Sequence, residues 1–161
     1  MNALNRPYER GDRETVVALT LACFRGVSID QNIEQLHGVI HGRDWEWRKT
    51  RALLNELDGS PSDVLVLEDQ DHTLVGFVTA ITDAEAGIGR ILHLAVRKDM
   101  RRRGVGRRLI AAAIEHLSGN GMSHVRIETL EQNTACIDLY PKLGFEEIAR
   151  QVHYIMKIPT E

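Results

Sequence analysis

The sequence predicts an α+β domain on a single central sheet, and three observations carry that prediction. The apolar period is helical up to Leu57 and becomes strand-like from Val64 onward. The strand–helix–strand unit between Ile91 and Leu130 calls for a right-handed crossover and parallel pairing, whereas the strands before it are close enough for hairpins. No repeat, low-complexity segment or Gly/Ser-rich linker interrupts the 161 residues, so one domain over 1–161 is expected.

Taken in order, Asp12 caps a helix through Val16, Val17, Leu21 and Phe24 that ends near Gly26. A second helix fits Asp44 to Leu57, with Trp47, Leu53, Leu54 and Leu57 on one side and Gly59 and Pro61 as its stop. Val64–Leu67 reads as a buried strand, Asp69–His72 as a hairpin turn, and Thr73–Thr82 as the returning strand. A loop from Asp83 to Gly89 leads to a third strand, Ile91–Val96. After an Arg-rich loop comes a helix from about Gly106 to Ser118, with an apolar stripe of Leu109, Ile110, Ala113, Ile114 and Leu117. Val125–Leu130 forms another strand and Asn133–Leu143 a short helix closed by Gly144. The tail from Phe145 to Ile158 offers two more strands.

Composition narrows the function. The chain is 43% hydrophobic and 27% charged, with no run of membrane-span length and no secretory apolar core at Met1–Arg6. Two cysteines, Cys23 and Cys136, make no disulfide framework, so a cytoplasmic location is expected. The net charge of −3 conceals a segregation. Arg97, Lys98, Arg101, Arg102, Arg103, Arg107 and Arg108 lie together, while Ala52 to Gly89 holds acids and no Lys or Arg. One cationic patch on an acidic chain fits a local anionic ligand, with no nucleic-acid or membrane partner. His37 and His41 have metal-pair spacing but lack the Glu of a His-Glu-x-x-His motif, and no metal is expected.

The patch has a structural use. Arg101, Arg102, Arg103, Gly104, Val105, Gly106 and Arg107 join a strand to an amphipathic helix. A first helical turn leaves backbone N–H groups without acceptors and carries partial positive charge. Two glycines let that backbone close on an anion, and the geometry suits a pyrophosphate. The third glycine of a dinucleotide fingerprint and the Gly-Lys-Ser/Thr of a P-loop are both missing.

Arg101-x-x-Gly104-x-Gly106 after a strand ending Leu94-Ala95-Val96 resembles the coenzyme A motif of the GCN5-related N-acetyltransferases. A second segment is similar to that family's Asn-x-x-Ala/Cys…Leu-Tyr-x-Lys-x-Gly-Phe: Asn133, Cys136, Leu139, Tyr140, Lys142, Gly144 and Phe145. The likeness covers about residues 64 to 158. It implies a mixed, mostly antiparallel sheet with a splayed parallel strand pair. It also implies acetyl-CoA as co-substrate, a pantetheine arm paired with Leu94 and Val96 beside Ala95, pyrophosphate on the amides of Arg102 to Arg107, and Asn133 on the pantetheine. The partners so implied are acetyl-CoA and an amine acceptor, with a homodimer as the family-level expectation.

An alkylamine with a pKa of about 10.4 is only ~0.1% neutral at pH 7, so a base helps deliver the nucleophile. Attack on the thioester builds an oxyanion, and the leaving thiolate needs a proton. The resemblance implies Tyr140 as that acid, and a phenol stays protonated at neutral pH. For the base, the ribosomal-protein N-terminal branch of the family carries a glutamate at the position of Glu128, which otherwise reads as an exposed residue paired with Arg126. His93, placed on one face with Ile91 and Ala95, is a base or a core histidine. Asp83 and Glu85 are outside candidates. Trp47 suits core packing and Trp45 the acceptor pocket, while Cys136 reads as a small buried residue, so direct transfer is expected. The rival reading is a non-catalytic acetyl-CoA-binding regulatory module.

Overall fold

The computed structural model describes residues 4–159. Five strands form one sheet in sequential order: β1 (Leu4–Pro7), β2 (Val64–Glu68), β3 (Leu74–Ile81), β4 (Ile88–Val96) and β5 (His124–Ile127). β1 to β4 pair antiparallel, and β4 pairs parallel with β5 through Ile88↔His124 to Ile91↔Ile127. The parallel crossover expected between Ile91 and Leu130 is therefore present, and α4 (Val105–Gly119) makes it.

Helices cover both faces of the sheet. α4 lays Leu109, Ile110, Ala113 and Leu117 on Leu67, Val75, Val78, Ala80 and Ile91. Gly89 lets it approach, since a Cβ there would stand 2.6 Å from Leu117 Cδ2. On the opposite face α1 (Arg13–Phe24) and α3 (Trp45–Gly59) bury Val16, Leu19, Leu53 and Leu57 against Val66, Phe77 and Ala95. Asp44 caps α3 by accepting from the Trp47 amide at 2.7 Å.

The structure adds β1 and α2 (Ile29–His37) to the elements expected from the sequence. It also shortens the carboxy-terminal half. α5 spans only Thr134–Leu139 and passes into a 3₁₀ turn, Pro141–Leu143, because proline brings no N–H to continue the helix. The two strands expected within Phe145–Ile158 are absent: residues 145–159 contain none, and Ile148, Val152, Tyr154, Met156 and Ile158 are exposed. Alternation gives a segment the capacity to pair, but a strand also needs an edge that accepts its backbone groups. This segment finds none among the described residues.

Candidate functional site

The centre of the site is a defect in β4. Thr79 pairs with His93, but Ala80 pairs with Ile91, so Leu92 is an extra residue opposite the junction. The parallel ladder to β5 also ends at Ile91, leaving Leu92–Val96 without a partner on that side. The two strands are thus unzipped from Leu92 onward. The bulge corrects the sequence expectation for His93. Ile91 lies against α4, whereas Ala95 lies against α1 and α3, so strict alternation does not hold through Leu92. His93 faces the α1–α3 layer, where Phe24 stands 5.2 Å away, ring centre to ring centre.

The Val96 carbonyl accepts from Arg101 Nε at 3.1 Å and from the Cys23 thiol at 3.3 Å, so it points away from β3. Strand alternation gives Leu94 the same outward backbone direction. Arg101 also reaches the Cys23 sulfur at 3.3 Å. It is therefore anchored at the rim of the cleft and does not extend from the loop.

The Arg-rich loop then turns tightly. Arg102 has φ 61° and Gly104 has φ 81°, and Gly104 is the residue preceding the first turn of α4. No side chain caps that turn, so its amides face outward. A Cβ at Gly104 would meet nothing within 4 Å, and one at Gly106 would meet only Val96 Cγ2 at 3.8 Å. The helix start is open, and it opens beside the unzipped end of β4.

Tyr140 closes the α4 face of the same region. It packs with Leu94, Val96 and Leu139 on the cluster that α4 covers, and its ring tilts against Phe145 at 5.9 Å. Burial raises its pKa well above the usual phenol range, and the Cys136 thiol beside it adds to the shift. The group is accordingly a neutral proton donor across the physiological range. The Asn133 amide donates to Cys136 Sγ at 3.2 Å, which links Asn133, Cys136 and Tyr140 in one short run.

The base candidates separate. Glu128 lies beyond β5 with a side chain 57% exposed, and its Oε1 accepts from Arg126 at 2.6 Å and Arg90 at 3.1 Å. The Arg126 hydrogen bond and both guanidinium charges hold its pKa below the usual carboxylate range, which suits a charged surface pair. His93 is buried, and its Nδ1 stands 2.7 Å from Glu56 Oε2. Thr79 Oγ1 donates to that same oxygen at 2.8 Å. The Nε2 atom of His93 is buried and has no hydrogen-bond partner among the described residues. Glu56 escaped the reading of the sequence, although it shares the core-facing stripe of α3 with Leu53.

Several other expectations change. Trp45 is buried at 5%, and Trp47 is the exposed tryptophan, held between Arg43 and Arg51 at 4.6 and 5.3 Å. The shift follows from Asp44 capping α3, which fixes the direction of both side chains. His37 ends α2, whereas His41 lies past Gly38 at φ 52°, so no helix carries both. Asp83 spends its carboxylate on the Ala86 amide at 3.0 Å, and Glu85 is exposed in the same loop. Much of the acidic stretch is paired: Asp58 with Arg13, Asp63 with His116, Glu68 with Arg6 and Asp69 with Arg97.

Comparison with known proteins bears on this geometry. Residues 29–145 match the model of the acetyltransferase (GNAT) family. A mycothiol acetyltransferase of Tsukamurella paurometabola is 33% identical over 114 residues, 70% of this chain and 37% of that protein. One of Clavibacter sepedonicus is 26% identical over 89% of this chain and 48% of its own length. The chain thus spans less than half of either relative. Among solved structures, PaiA N-acetyltransferase of Thermoplasma acidophilum, in complex with coenzyme A, superposes with a TM-score of 0.70 at 24% identity, covering 91% of each chain. N-acetylglutamate synthase of Neisseria gonorrhoeae, complexed with coenzyme A and N-acetyl-glutamate, gives 0.58 at 25% identity over 86% of this chain and 28% of that one.

Proposed function

The chain belongs to the acetyltransferase (GNAT) family, and from that premise we propose that it moves an acetyl group from acetyl-CoA directly to a primary amine. The observation that carries this reading is the junction of two openings. β4 loses its parallel partner after Ile91, and the uncapped start of α4 lies beside it, where a Cβ added at Gly106 would stand 3.8 Å from Val96 Cγ2. A pantetheine arm paired with the outward backbone of Leu94 and Val96, beside Ala95, would deliver its pyrophosphate to the amides from Arg102 to Arg107. Arg103 and Val105 belong to that turn, and Asn133 is joined to Tyr140 through Cys136.

Proton transfers would use buried His93 and half-buried Tyr140. The acceptor ammonium gives one proton to His93 Nε2, and its nitrogen then bonds to the thioester carbon. An outward backbone N–H of β4 supports the oxyanion. The C–S bond breaks, the thiolate takes the Tyr140 proton, and the phenolate recovers the proton left on the new amide nitrogen. Glu128 has no step in this scheme, because two arginines already hold its carboxylate.

The relatives named mycothiol acetyltransferase support a small-molecule acceptor. Coenzyme A release from acetyl-CoA should be measured with spermidine, lysine, glucosamine and an alanyl peptide. Release with one of them is the expected result. Binding of acetyl-CoA without release from any would instead support the regulatory-module reading.

No helix among the described residues is long and apolar enough to cross a membrane. The reading includes a cytoplasmic enzyme with no metal and no nucleic-acid or membrane partner. It also includes a homodimer, supported by the exposed apolar residues Val152, Tyr154, Met156 and Ile158 at alternate positions. Sedimentation velocity of the full chain should give a dimer, and a monomer at micromolar concentration would remove that part.

A further inference from the structure

We propose that Glu56, backed by Thr79, is the positioning residue that makes His93 a base, by keeping the imidazole proton on Nδ1 and the Nε2 lone pair free for the acceptor amine. The inference rests on the acetyl-transfer reading above and assigns a role to a residue outside both sequence motifs.

The hydrogen bonds admit one neutral tautomer. An ionised carboxylate only accepts, so the 2.7 Å contact between His93 Nδ1 and Glu56 Oε2 requires a proton on Nδ1. Thr79 has one hydroxyl proton, and it is committed to the same Glu56 oxygen at 2.8 Å. Its lone pair is then what accepts the His93 amide at 3.0 Å. Both His93 nitrogens facing β3 and α3 are thereby fixed as donors. Nε2 is left as an acceptor with nothing to accept from.

Such an atom is expensive. A buried, unpartnered acceptor destabilises the fold, and a histidine kept only for packing would be better replaced by an apolar residue. Its place in the chain gives the expense a use. His93 is the first residue past the Leu92 bulge, where β4 has just left β5. The same holds for α3. Lys49, Leu53, Glu56 and Leu57 share its inward stripe with Trp45, so two charges interrupt a core face.

The surroundings of His93 are supplied by three elements. α3 contributes Glu56 and Lys49, β3 contributes Thr79, and α1 contributes the Phe24 ring. Lys49 does not touch the imidazole: its Nζ caps the other aromatic partner, 3.9 Å from the centre of Phe24. The carboxylate is therefore the charge in direct contact with His93. When Nε2 takes a proton from the acceptor ammonium, Nδ1–H stays on the ring, and Glu56 balances the imidazolium charge. This is the logic by which a carboxylate orients a histidine in hydrolytic triads.

The test combines turnover with a direct view of the ring. Coenzyme A release from acetyl-CoA is followed with the best acceptor of the panel above, for wild type, H93Q, E56Q, E56D, T79V and the double variant H93Q/E56Q. Imidazole ¹⁵N spectra of the acetyl-CoA-bound protein report the His93 tautomer. E56Q should lower kcat about 10- to 100-fold with the KM for acetyl-CoA within about twofold. Its spectra should show both tautomers, E56D should restore part of the loss, and E56Q should add nothing to H93Q. T79V keeps the carboxylate and serves if E56Q folds poorly; it should lower kcat about 2- to 5-fold with the same tautomer mixing. An inactive H93Q beside an E56Q of wild-type kcat and a single His93 tautomer would overturn the role of Glu56 and leave His93 as base. Full turnover in H93Q would overturn both.

Discussion

Gly106→Ala separates folding from cofactor binding with one methyl group. Gly106 is the second residue of α4, and alanine is favoured over glycine in a helix by about 1 kcal/mol. The new Cβ would meet nothing closer than Val96 Cγ2 at 3.8 Å, an ordinary contact. For a chain of this size the gain corresponds to a Tm higher by about 2–4 °C. Binding should move the other way. The methyl would project between the start of α4 and the unzipped end of β4, where the pyrophosphate must approach the amides. Losing one hydrogen bond to a charged phosphate costs about 1.5–3 kcal/mol, hence a Kd weaker by about 10- to 150-fold. Calorimetric titration with acetyl-CoA and a thermal melt of the free protein supply both numbers. A raised Tm with unchanged Kd would refute the cradle. Gly104 makes a poorer test, because at φ 81° any Cβ adds strain of about 1–2 kcal/mol that would lower stability and binding together.

The remaining predictions use the same structure. Tyr140→Phe should reduce kcat by about 100-fold or more while leaving acetyl-CoA affinity within about twofold, as measured by calorimetry and thiol release. Because folding raises the Tyr140 pKa, the folded state binds more protons than the unfolded chain above about pH 10. Stability should thus fall as pH rises beyond that point, and less steeply in Tyr140→Phe, as followed by urea melts. Glu128→Gln should change kcat less than about threefold, since the side chain is an exposed arginine partner. Arg6 donates to Asp12 and Glu68 and lowers both carboxylate pKa values, so their contribution is present above about pH 4 and lost as pH falls. In Arg6→Met the melting temperature should be lower at pH 7 and should decline less between pH 5 and 3 (about one unit either side of the carboxylate range).

What could be read from the chain depended on how local its cause was. The start of α4 and the turn at Gly104 follow from residues next to them, and the structure keeps both. β1 was missed because four residues ending at Pro7 carry no period of their own; Leu65 to Glu68 on β2 define it. α2 was missed because its turns are polar, and its hold on the fold is Ser28 capping and ion pairs from Arg48. The site shows the same division. The cradle and Tyr140 lie inside contiguous motifs, whereas Glu56 meets His93 across 37 residues. A signal for it did exist, in the charges at Lys49 and Glu56 on the apolar stripe of α3.

The bulge at Leu92 explains why the unzipped end of β4 and His93 lie together. A two-residue period would put Ile91, His93 and Ala95 on one face of β4, all against α4 or all against α3. One inserted residue lets Ile91 stay in the α4 core while His93 turns to Glu56. At the same place β4 leaves β5, so Leu94 and Val96 turn freed backbone toward the cleft. His93 itself still holds β3 through Thr79. In the proposed mechanism the thioester side and the amine side of the reaction would thus be served by consecutive residues of one strand. A substitution that restored regular pairing through Leu92 would remove both at once, a coupling that motif matching alone does not reveal.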